Sequence, residues 1–275
     1  MKIKYFSPHW GFGHLGFAAY CKQVAAAGFD GIEMNLSANP SEAEASLNLL
    51  EENGLELLAQ HSETQSADFG EHLEHCRSSL MRITAFKPAV INCHTGRDWF
   101  TFAQNLQIID AAFAVTEATG VPILHETHRG RFGYSAATTA AFLQARPGLR
   151  LTADFSHWCT VSESFLHGQE AFVEEAIKRA DHIHSRVGHD QGPQVGDPRA
   201  PEWQAAVEIH MGWWDRIVAC HQAKGSAALT ITTEFGPPPY LPVLPYTQEP
   251  VASQWEINLY MLQLLKTRYA QETRP

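Results

Sequence analysis

The sequence has 275 residues, of which 44% are hydrophobic, and its formal net charge is −10 at pH 7. This length fits one large domain, since single α/β barrels often reach about 250 residues. The acidic balance argues against a protein that binds nucleic acid or an anionic membrane, because both partners require a basic face. No stretch of about 18 uncharged apolar residues occurs. We therefore expect no membrane association and a small neutral or metal-bridged ligand.

The number and spacing of the cysteines predict the redox state of the protein's cellular compartment. They are five in number, widely separated and without a CxxC pair: Cys21, Cys76, Cys93, Cys159 and Cys220. This pattern is typical of reduced thiols in a cytoplasmic protein. The first residues, "MKIKYFSPHWGFG", contain no apolar run of the secretory type. We therefore expect an unprocessed cytoplasmic chain.

Short β-type runs alternate with longer helical patterns along the chain. Strands are predicted at residues 2–6, 31–35, 55–61, 89–94, 122–127, 149–155, 182–186 and 228–235. Helices are predicted between them, including residues 15–28, 41–54, 99–120 and 168–180, three of which end at a glycine. Eight repeats of strand and helix are the number at which a parallel sheet closes. We predict a single α/β domain over residues 1–275, a (β/α)8 TIM barrel.

Two segments are predicted to be loops at the rim of the barrel. Residues 184–203, "HSRVGHDQGPQVGDPRAPEW", are rich in glycine and proline, which indicates a lid or a substrate-selecting loop. Residues 235–250 begin with "FGPPPYLPVLPY" and are predicted to cross the barrel mouth before a closing helix at 251–269.

Acidic and histidine side chains follow the predicted strands at their carboxyl ends. From the third strand to the eighth, these residues are His61, His94, Glu126, Asp154 with His157, His184 and Glu234. In a barrel these ends share one rim, where such enzymes carry out their chemistry. Several carboxylates confined there would repel one another unless a cation held them. The arrangement therefore predicts a divalent metal ion.

Four motifs carry a resemblance to a known family: "LHETHRGR", "LTADFSHW", "HIHSRVGH" and "TTEFG". They resemble the xylose isomerase-like TIM barrels, which include sugar isomerases, ketose 3-epimerases, inosose dehydratases and endonuclease IV-type nucleases. The resemblance covers essentially the whole chain in strand order. It implies that Glu126, Asp154, His184 and Glu234 bind the metal and that His157 contacts the substrate.

Three carboxylates and one imidazole form a mostly hard ligand set, so we predict Mn²⁺ as the cofactor, with Mg²⁺, Co²⁺ or Zn²⁺ as alternatives. Such an ion would polarise a sugar carbonyl and stabilise a cis-enediolate. Glu126 and Glu234 would be the catalytic acid and base. Proton return to the same carbon gives an epimer, and return to its neighbour gives an aldose–ketose isomer. We predict a metal-dependent sugar isomerase or epimerase and leave this choice open.

Six residues are predicted to bind the sugar or keto-sugar substrate: Trp10, His61, His94, His128, His157 and Arg186. For His61 and His94, support of a second metal is the alternative. His125 and His182 are predicted to be structural, because alternation or depth in the strand turns each away from the rim.

Three other functions remain open. A metal-dependent lyase or dehydratase acting on a keto-sugar or keto-cyclitol would use His189 or Asp190 as an extra general acid. A nuclease is disfavoured by the charge and by Arg199, which stands where the family's nucleases have a second histidine. A sugar-binding barrel without catalysis is disfavoured by the paired Glu126 and Glu234. The sequence also allows a homo-oligomer.

Overall fold

The computed structural model describes residues 1–270, in which eight parallel strands form a closed barrel in sequence order. The strands are β1 (Lys2–Pro8), β2 (Gly31–Asn35), β3 (Glu56–His61), β4 (Ile91–Cys93), β5 (Ile123–Glu126), β6 (Leu151–Ala153), β7 (Ala180–His184) and β8 (Ala228–Thr232). The barrel closes where β8 pairs with β1, from Lys2 beside Ala228 to Phe6 beside Thr232. The predicted fold class is confirmed.

Helices surround the barrel. They are α1 (Phe17–Ala27), α2 (Pro40–Glu52), α3 (Phe69–Thr84), α4 (Phe102–Thr119), α5 (Ala136–Ala145), α6 (Phe155–Val161), α7 (Glu170–Arg179), α8 (Gln204–Ala223) and α9 (Gln254–Ala270). Local sequence explains their ends: Thr101 and Gln104 form a capping box at the start of α4, and Gly120 ends that helix with φ 73°. Within residues 1–270, no helix has the length and apolar character that a membrane span requires.

Strand predictions agree best where a strand is bounded by glycine and least where a helix follows at once. The run at 31–35 is β2 itself. The predicted strand at 149–155 is shortened to Leu151–Ala153, because α6 begins at Phe155. Apolar residues fill the layer between strands and helices. In contrast, several polar side chains are buried in the barrel interior, among them Glu33, Asn92, His182 and His184.

Candidate metal centre

Four side chains from consecutive strand ends meet at the carboxyl-terminal face of the barrel. Glu126 ends β5, Asp154 follows β6, His184 ends β7 and Glu234 follows β8. Each offers one ligand atom, and these four atoms all lie within 4.8 Å of one another. All four residues are buried. The structure thus brings together the residues that the family resemblance implies as metal ligands.

Asp154 is fixed by its place at the start of α6. One carboxylate oxygen, Oδ1, accepts a hydrogen bond from the backbone N–H of Ser156 at 3.1 Å and so caps the helix. The other oxygen, Oδ2, lies 3.6 Å from Nε2 of His157. Residues three apart face the same side of a helical turn. The early helix start therefore brings Asp154 and His157 to one point.

Glu234 has an unusual backbone conformation. Its φ of 39° lies in the left-handed region, which is uncommon for a residue with a side chain. The next residue, Phe235, is anchored by its N–H, which donates to Oδ1 of Asn258 at 3.1 Å. Strained backbone of this kind is concentrated at functional sites, where surrounding contacts hold it in place. The strain at Glu234 supports a role beyond packing.

His184 is held between two acids. Its Nε2 lies 3.0 Å from both carboxylate oxygens of Glu33, and its Nδ1 lies 2.7 Å from Oε2 of Glu234. Burial alone would lower the pKa of His184, but the carboxylates of Glu234, Glu33 and Glu126 together raise it well above its usual value. A proton on this imidazole and a cation beside it are thus alternative ways to balance the same carboxylates.

The pKa values of Glu126 on β5 and of Asp154 after β6 are shifted in opposite directions. Burial raises the pKa of Asp154 to about 7, although the positive charge of Arg186 opposes the shift. Burial would also raise the pKa of Glu126, but the neighbouring imidazoles of His94 and His184 hold it well below its usual range. Glu126 therefore remains ionised at neutral pH, whereas Asp154 titrates near neutrality.

Arg186 supplies the permanent positive charge of the cluster. Its Nη2 donates to Oδ2 of Asp154, and its Nη1 lies 3.5 Å from Oε2 of Glu234. The same Nη2 lies 2.7 Å from Nε2 of His157. Only 2% of the Arg186 surface is exposed. One guanidinium cannot balance all the buried carboxylates, which leaves the cluster suited to a further cation.

The hydrogen-bond inventory tests whether the cluster fits a metal ion. Three buried ligand atoms of the cluster make no hydrogen bond: Oε1 of Glu126, and Nδ1 of His184 and Oε2 of Glu234, which face each other at 2.7 Å. A buried polar atom without a partner costs about 1–3 kcal/mol. One divalent cation would serve all three atoms, and its ligand set of three carboxylates and an imidazole fits Mn²⁺ or Mg²⁺. The residues fit the predicted cofactor.

A pocket of about 310 Å³ opens above the cluster. Its walls combine neutral polar groups with aromatic and apolar ones, and its floor includes two of the cluster acids. The lining residues are His9, Trp10, Met34, Asn35, Gln60, Ser62, His94, Glu126, His128, Arg186, Glu234 and Tyr240. Among them, the guanidinium of Arg186 is already paired with acids. The pocket is thus suited to a neutral polar ligand.

Tyr240 and Trp10 close one side of this pocket. The rings of Trp10 and Tyr240 meet edge to face with centroids 4.9 Å apart, and the Arg186 guanidinium lies 4.9 Å from the Tyr240 ring. Gly236 allows this arrangement, because a Cβ there would lie 2.1 Å from a ring atom of Trp10. The segment 235–250 therefore contributes directly to the pocket wall.

The model of one protein family matches the sequence over residues 21–197. That family is described as the xylose isomerase-like TIM barrel. The chain belongs to it. No curated protein matches the sequence.

Solved structures of the same fold include several enzymes. The probable 3-DHS dehydratase AsbF from Bacillus anthracis is 17% identical, with TM-score 0.61 and coverage of 96% of this chain and 98% of its own. The 3-keto-D-glucoside 4-epimerase YcjR from E. coli is 13% identical, with TM-score 0.58 and coverage of 97% and 100%. Endonuclease IV from Thermus thermophilus is 14% identical, with TM-score 0.56 and coverage of 98% and 100%. At such identities these likenesses show the shared fold.

The structure places most of the predicted substrate-binding residues at the pocket of this xylose isomerase-like barrel. Trp10, His94, His128 and Arg186 line it. His157 is buried beside it, and its ring centroid lies 3.9 Å from that of His128. His94 reaches the cluster, with Nε2 2.9 Å from Oε2 of Glu126. These positions are compatible with the predicted roles.

The prediction that His61 lines the sugar pocket is wrong, because His61 is absent from the pocket wall that includes His94. His61 stands beside Cys93 in the β3–β4 register and clusters with Cys93 and with Cys76 of α3, outside the barrel wall. Successive strand residues point to opposite faces. His61 therefore faces the helices, whereas its neighbours Gln60 and Ser62 line the pocket.

The predicted lid, residues 184–203, is packed against the other rim segment. Gln194 exchanges two hydrogen bonds with the backbone of Gly236, at 2.7 and 3.1 Å. His189 stacks on Trp203 with ring centroids 4.9 Å apart, and half of the Asp190 side chain is exposed. Asp197 pairs with Arg199 at 2.7 Å. Neither His189 nor Asp190 is a pocket-lining residue, so the extra acid proposed for a lyase is not supplied from this loop.

Two buried residues that support the cluster were missed from the sequence, Glu33 and Asn92. Asn92 donates to Oε2 of Glu126 at 2.7 Å and to Oε1 of Glu33 at 3.0 Å. The Glu33 carboxylate contacts the His184 ring and fixes its orientation, as a carboxylate next to a metal-binding histidine commonly does. A signal for Glu33 was present in "GIEMN", where an acid interrupts an otherwise apolar buried strand. His182 and His125 are fully buried within the wall, in keeping with structural roles.

Proposed function

We propose that this protein is a divalent-metal-dependent sugar isomerase or epimerase that acts by proton transfer next to a carbonyl. The observation that carries the proposal is the buried cluster of Glu126, Asp154, His184 and Glu234, in which three ligand atoms make no hydrogen bond, under a neutral pocket. Mn²⁺ is the proposed ion, since the ligands are mostly hard oxygens. When bound, the ion would supply electrostatic stabilisation for negative charge that develops on substrate oxygens.

The contacts of Glu126 suit it to act as the base. Its Oε2 is engaged by Asn92 at 2.7 Å and by His94 at 2.9 Å, which leaves Oε1 without a partner. It is ionised at neutral pH, the state that accepts a proton, although the imidazoles that hold its pKa low also make it a weaker base. We propose that Glu126 removes the proton beside the substrate carbonyl and that Glu234 returns a proton to the carbon chain.

The remaining contacts suit Arg186 and His157 to a positioning role. Arg186 holds Asp154 and His157 together from inside the protein and also reaches the pocket. We propose that it orients one substrate oxygen while it keeps Asp154 in place. Trp10 and Tyr240 would pack against the carbon chain, and water would be displaced from that wall.

The pocket favours an unphosphorylated substrate. Asn35, Gln60 and Ser62 form a hydrogen-bonded row on one wall, with Ser62 Oγ donating to Asn35 Oδ1 at 3.2 Å. Amides and hydroxyls of this kind can exchange hydrogen bonds with sugar hydroxyls, which both donate and accept. Phosphate and nucleic-acid sites instead need cationic side chains free to pair with the ligand. A neutral ketose or keto-sugar is therefore the proposed substrate.

The proposal is tested by replacing Glu234 with Gln. Glu234→Gln keeps the shape of the side chain but removes its charge, so we expect bound Mn²⁺ to fall and turnover to drop by about 10²–10⁴-fold. Glu249→Gln, on an exposed part of the same rim segment, is the matched control. The measurements are elemental analysis and turnover on a panel of ketoses and keto-sugars. Unchanged metal content and unchanged turnover in Glu234→Gln would reject the centre.

The proton-transfer step is tested separately in D₂O. We expect the wild-type protein to place deuterium on a carbon next to the carbonyl, because the abstracted proton exchanges with solvent. A turnover without deuterium uptake would contradict proton transfer and favour a hydride shift.

A dehydratase is the second candidate function. His94 and His128 both line the pocket, with ring centroids 4.5 Å apart, and His94 is the candidate donor of a proton to a leaving hydroxyl, because burial holds the pKa of His128 well below its usual value. One structure of the same fold is a probable 3-DHS dehydratase. An unsaturated product that absorbs ultraviolet light, formed with loss of water, would assign this function in place of isomerisation.

We also propose a cytoplasmic location. The five cysteines at Cys21, Cys76, Cys93, Cys159 and Cys220 are free thiols, as expected for a protein kept in a reducing compartment. Fractionation of the native host, with detection of the untagged protein in the soluble cytoplasmic fraction, tests this location.

A further inference from the structure

A second cluster of metal-ligand types lies behind the barrel wall. His61 of β3 and Cys93 of β4 are registered neighbours, and the backbone N–H of His94 donates to the carbonyl of His61 at 2.9 Å. Cys76, from α3, covers this pair. One nitrogen of His61 and the two sulfur atoms all lie within 4.8 Å of one another. Three different elements therefore converge on one point.

This thiol–imidazole cluster is sealed from solvent. His61 and Cys93 are 0% exposed and Cys76 is 2% exposed. Nε2 of His61 pairs with the Thr64 hydroxyl at 2.9 Å, whereas Nδ1 makes no hydrogen bond and lies 3.7 Å from Oε1 of Glu63. Most buried polar atoms in proteins are partnered, so a buried ring nitrogen without a hydrogen bond requires an explanation. A cation shared by the imidazole and the sulfur atoms would provide one.

Charge beside the cluster favours thiolates. Arg131 is 4% exposed, and its Nη1 donates to the carbonyls of Thr64 and Gly96 at 3.2 and 3.4 Å. Within residues 1–270, no carboxylate lies in ion-pair contact with Arg131. Its positive charge acts on Cys93, on Glu126 and on Cys76. A hydrogen bond from the Cys76 thiol lowers the pKa of the Cys93 thiol to about 6, and the same pairing raises the pKa of Cys76 well above its usual value. A buried cation thus lies near the cluster and stabilises one thiolate, at Cys93.

We propose that His61, Cys76 and Cys93 form a second metal site, which binds one Cu⁺ ion. Sulfur and imidazole ligands are soft and select Cu⁺ or Zn²⁺ over Mn²⁺ or Mg²⁺. Zn²⁺ takes four ligands in structural sites, and this cluster offers three. Two thiolates with one Cu⁺ carry a net charge of −1, which the guanidinium of Arg131 balances. On binding, each coordinating thiol releases its proton to solvent.

The site would connect to the pocket through β4. Cys93 stands between Asn92 and His94, whose side chains both reach Glu126 on the opposite face of the strand. An ion at Cys93 would tie β3, α3 and β4 together directly behind those two contacts. The site shares no ligand with the candidate metal centre, so it stands whether or not that centre is catalytic.

The test is an anaerobic titration of the reduced full-length protein with Cu⁺ in competition with a chromogenic Cu⁺ chelator. Excess Mn²⁺ is present throughout, so that the candidate centre at Glu126 is occupied. We expect one Cu⁺ per chain in the wild-type protein and loss of this binding in Cys76→Ser and Cys93→Ser. Cys21→Ser, at a buried thiol of α1, and Cys220→Ser, at the more exposed thiol of α8, are controls that keep it.

Two results would overturn the site: no Cu⁺ retained against the chelator, or equal stoichiometry in the wild-type protein and in Cys76→Ser and Cys93→Ser. X-ray absorption at the copper edge of the wild-type protein provides a measurement that needs no variant to fold. We expect two sulfur ligands and one nitrogen ligand, and a spectrum with nitrogen and oxygen ligands alone would contradict the proposal. His61→Gln should remove the nitrogen contribution while both sulfurs remain.

Discussion

The two faces of β4 differ in the chemistry that they bury. Facing the barrel interior, Asn92 and His94 contact Oε2 of Glu126 at 2.7 and 2.9 Å, within a centre built from oxygen and imidazole. Facing the helices, Cys93 joins Cys76 and His61 in a cluster built from sulfur and imidazole. Alternation along a strand places these groups only one residue apart. One short strand thus separates a hard ligand set from a soft one.

Charge is balanced in opposite ways on the two faces. Inside the barrel, carboxylates are in excess, and Arg186 together with a protonated His184 offsets part of their charge. Outside it, the guanidinium of Arg131 lacks a carboxylate partner among residues 1–270 and acts on thiols. An excess of acid favours a divalent cation, whereas an excess of cation favours thiolates and a monovalent one. The following substitutions test how independent the two faces are.

The largest effect is expected from Arg186→Met. This change leaves the buried Asp154 and Glu234 without their guanidinium, and loss of one partner of a buried pair costs about 3–5 kcal/mol. Urea unfolding in the presence of a chelator measures the loss, and excess Mn²⁺ should restore part of it by binding the folded state. Arg146→Met is the control, since its pair with Asp110 lies at the surface, where ion pairs contribute little to stability. Equal losses in both variants would contradict the interior charge balance.

A smaller effect is expected from Glu33→Gln. Glu33 holds Nε2 of His184 at 3.0 Å, and removal of such a supporting carboxylate lowers metal affinity by about 10–100-fold. Titration with Mn²⁺ measures the change. Glu56 lies on β3 and is a partly exposed partner of Lys4. The control Glu56→Gln should bind Mn²⁺ as the wild-type protein does. An unchanged affinity in Glu33→Gln would show that metal binding by His184 does not depend on its contact with the Glu33 carboxylate.

The smallest effect is a dependence of Mn²⁺ affinity on pH. The pKa of His184 is raised, so its proton stabilises the ion-free protein below about pH 6.5 and this contribution is lost as pH rises through the higher folded pKa. The metal needs the neutral imidazole. Affinity should therefore increase by roughly tenfold per pH unit while His184 alone is protonated, and more steeply below about pH 7, where Asp154 must also lose its proton on binding. Titrations between about pH 6 and 8 measure the slope. An affinity independent of pH would contradict the shift.

Much of the fold and of the centre could be predicted from the sequence. Strands and helices alternate with regular spacing, and polar residues at strand ends stand out against apolar runs, so the barrel and its clustered acids follow from general rules. Glu126, Asp154, His184 and Glu234 could be placed together because the ends of parallel strands share one rim. Their metal-binding role was implied by the family motifs around them.

The orientation of individual side chains could not be predicted in the same way. His61 and His94 both end predicted strands, yet the register between β3 and β4 turns one outward and the other inward. Register depends on how the strands pair in three dimensions, which one sequence does not specify. The rim loops posed the same problem, because His189 stacks on Trp203 instead of facing the pocket.

The two roles of the Asp154 carboxylate have a consequence for the evolution and redesign of this barrel. One of its oxygens caps α6 through Ser156, and the other faces the centre. An ancestral or engineered variant that discards the chemistry through Asp154→Ala would also lose the helix cap, which is worth about 0.5–2 kcal/mol. Asp154→Asn can keep the cap but removes the charge that pairs with the buried Arg186. A variant of this barrel that changes Asp154 therefore has to replace both the helix cap and the partner of Arg186.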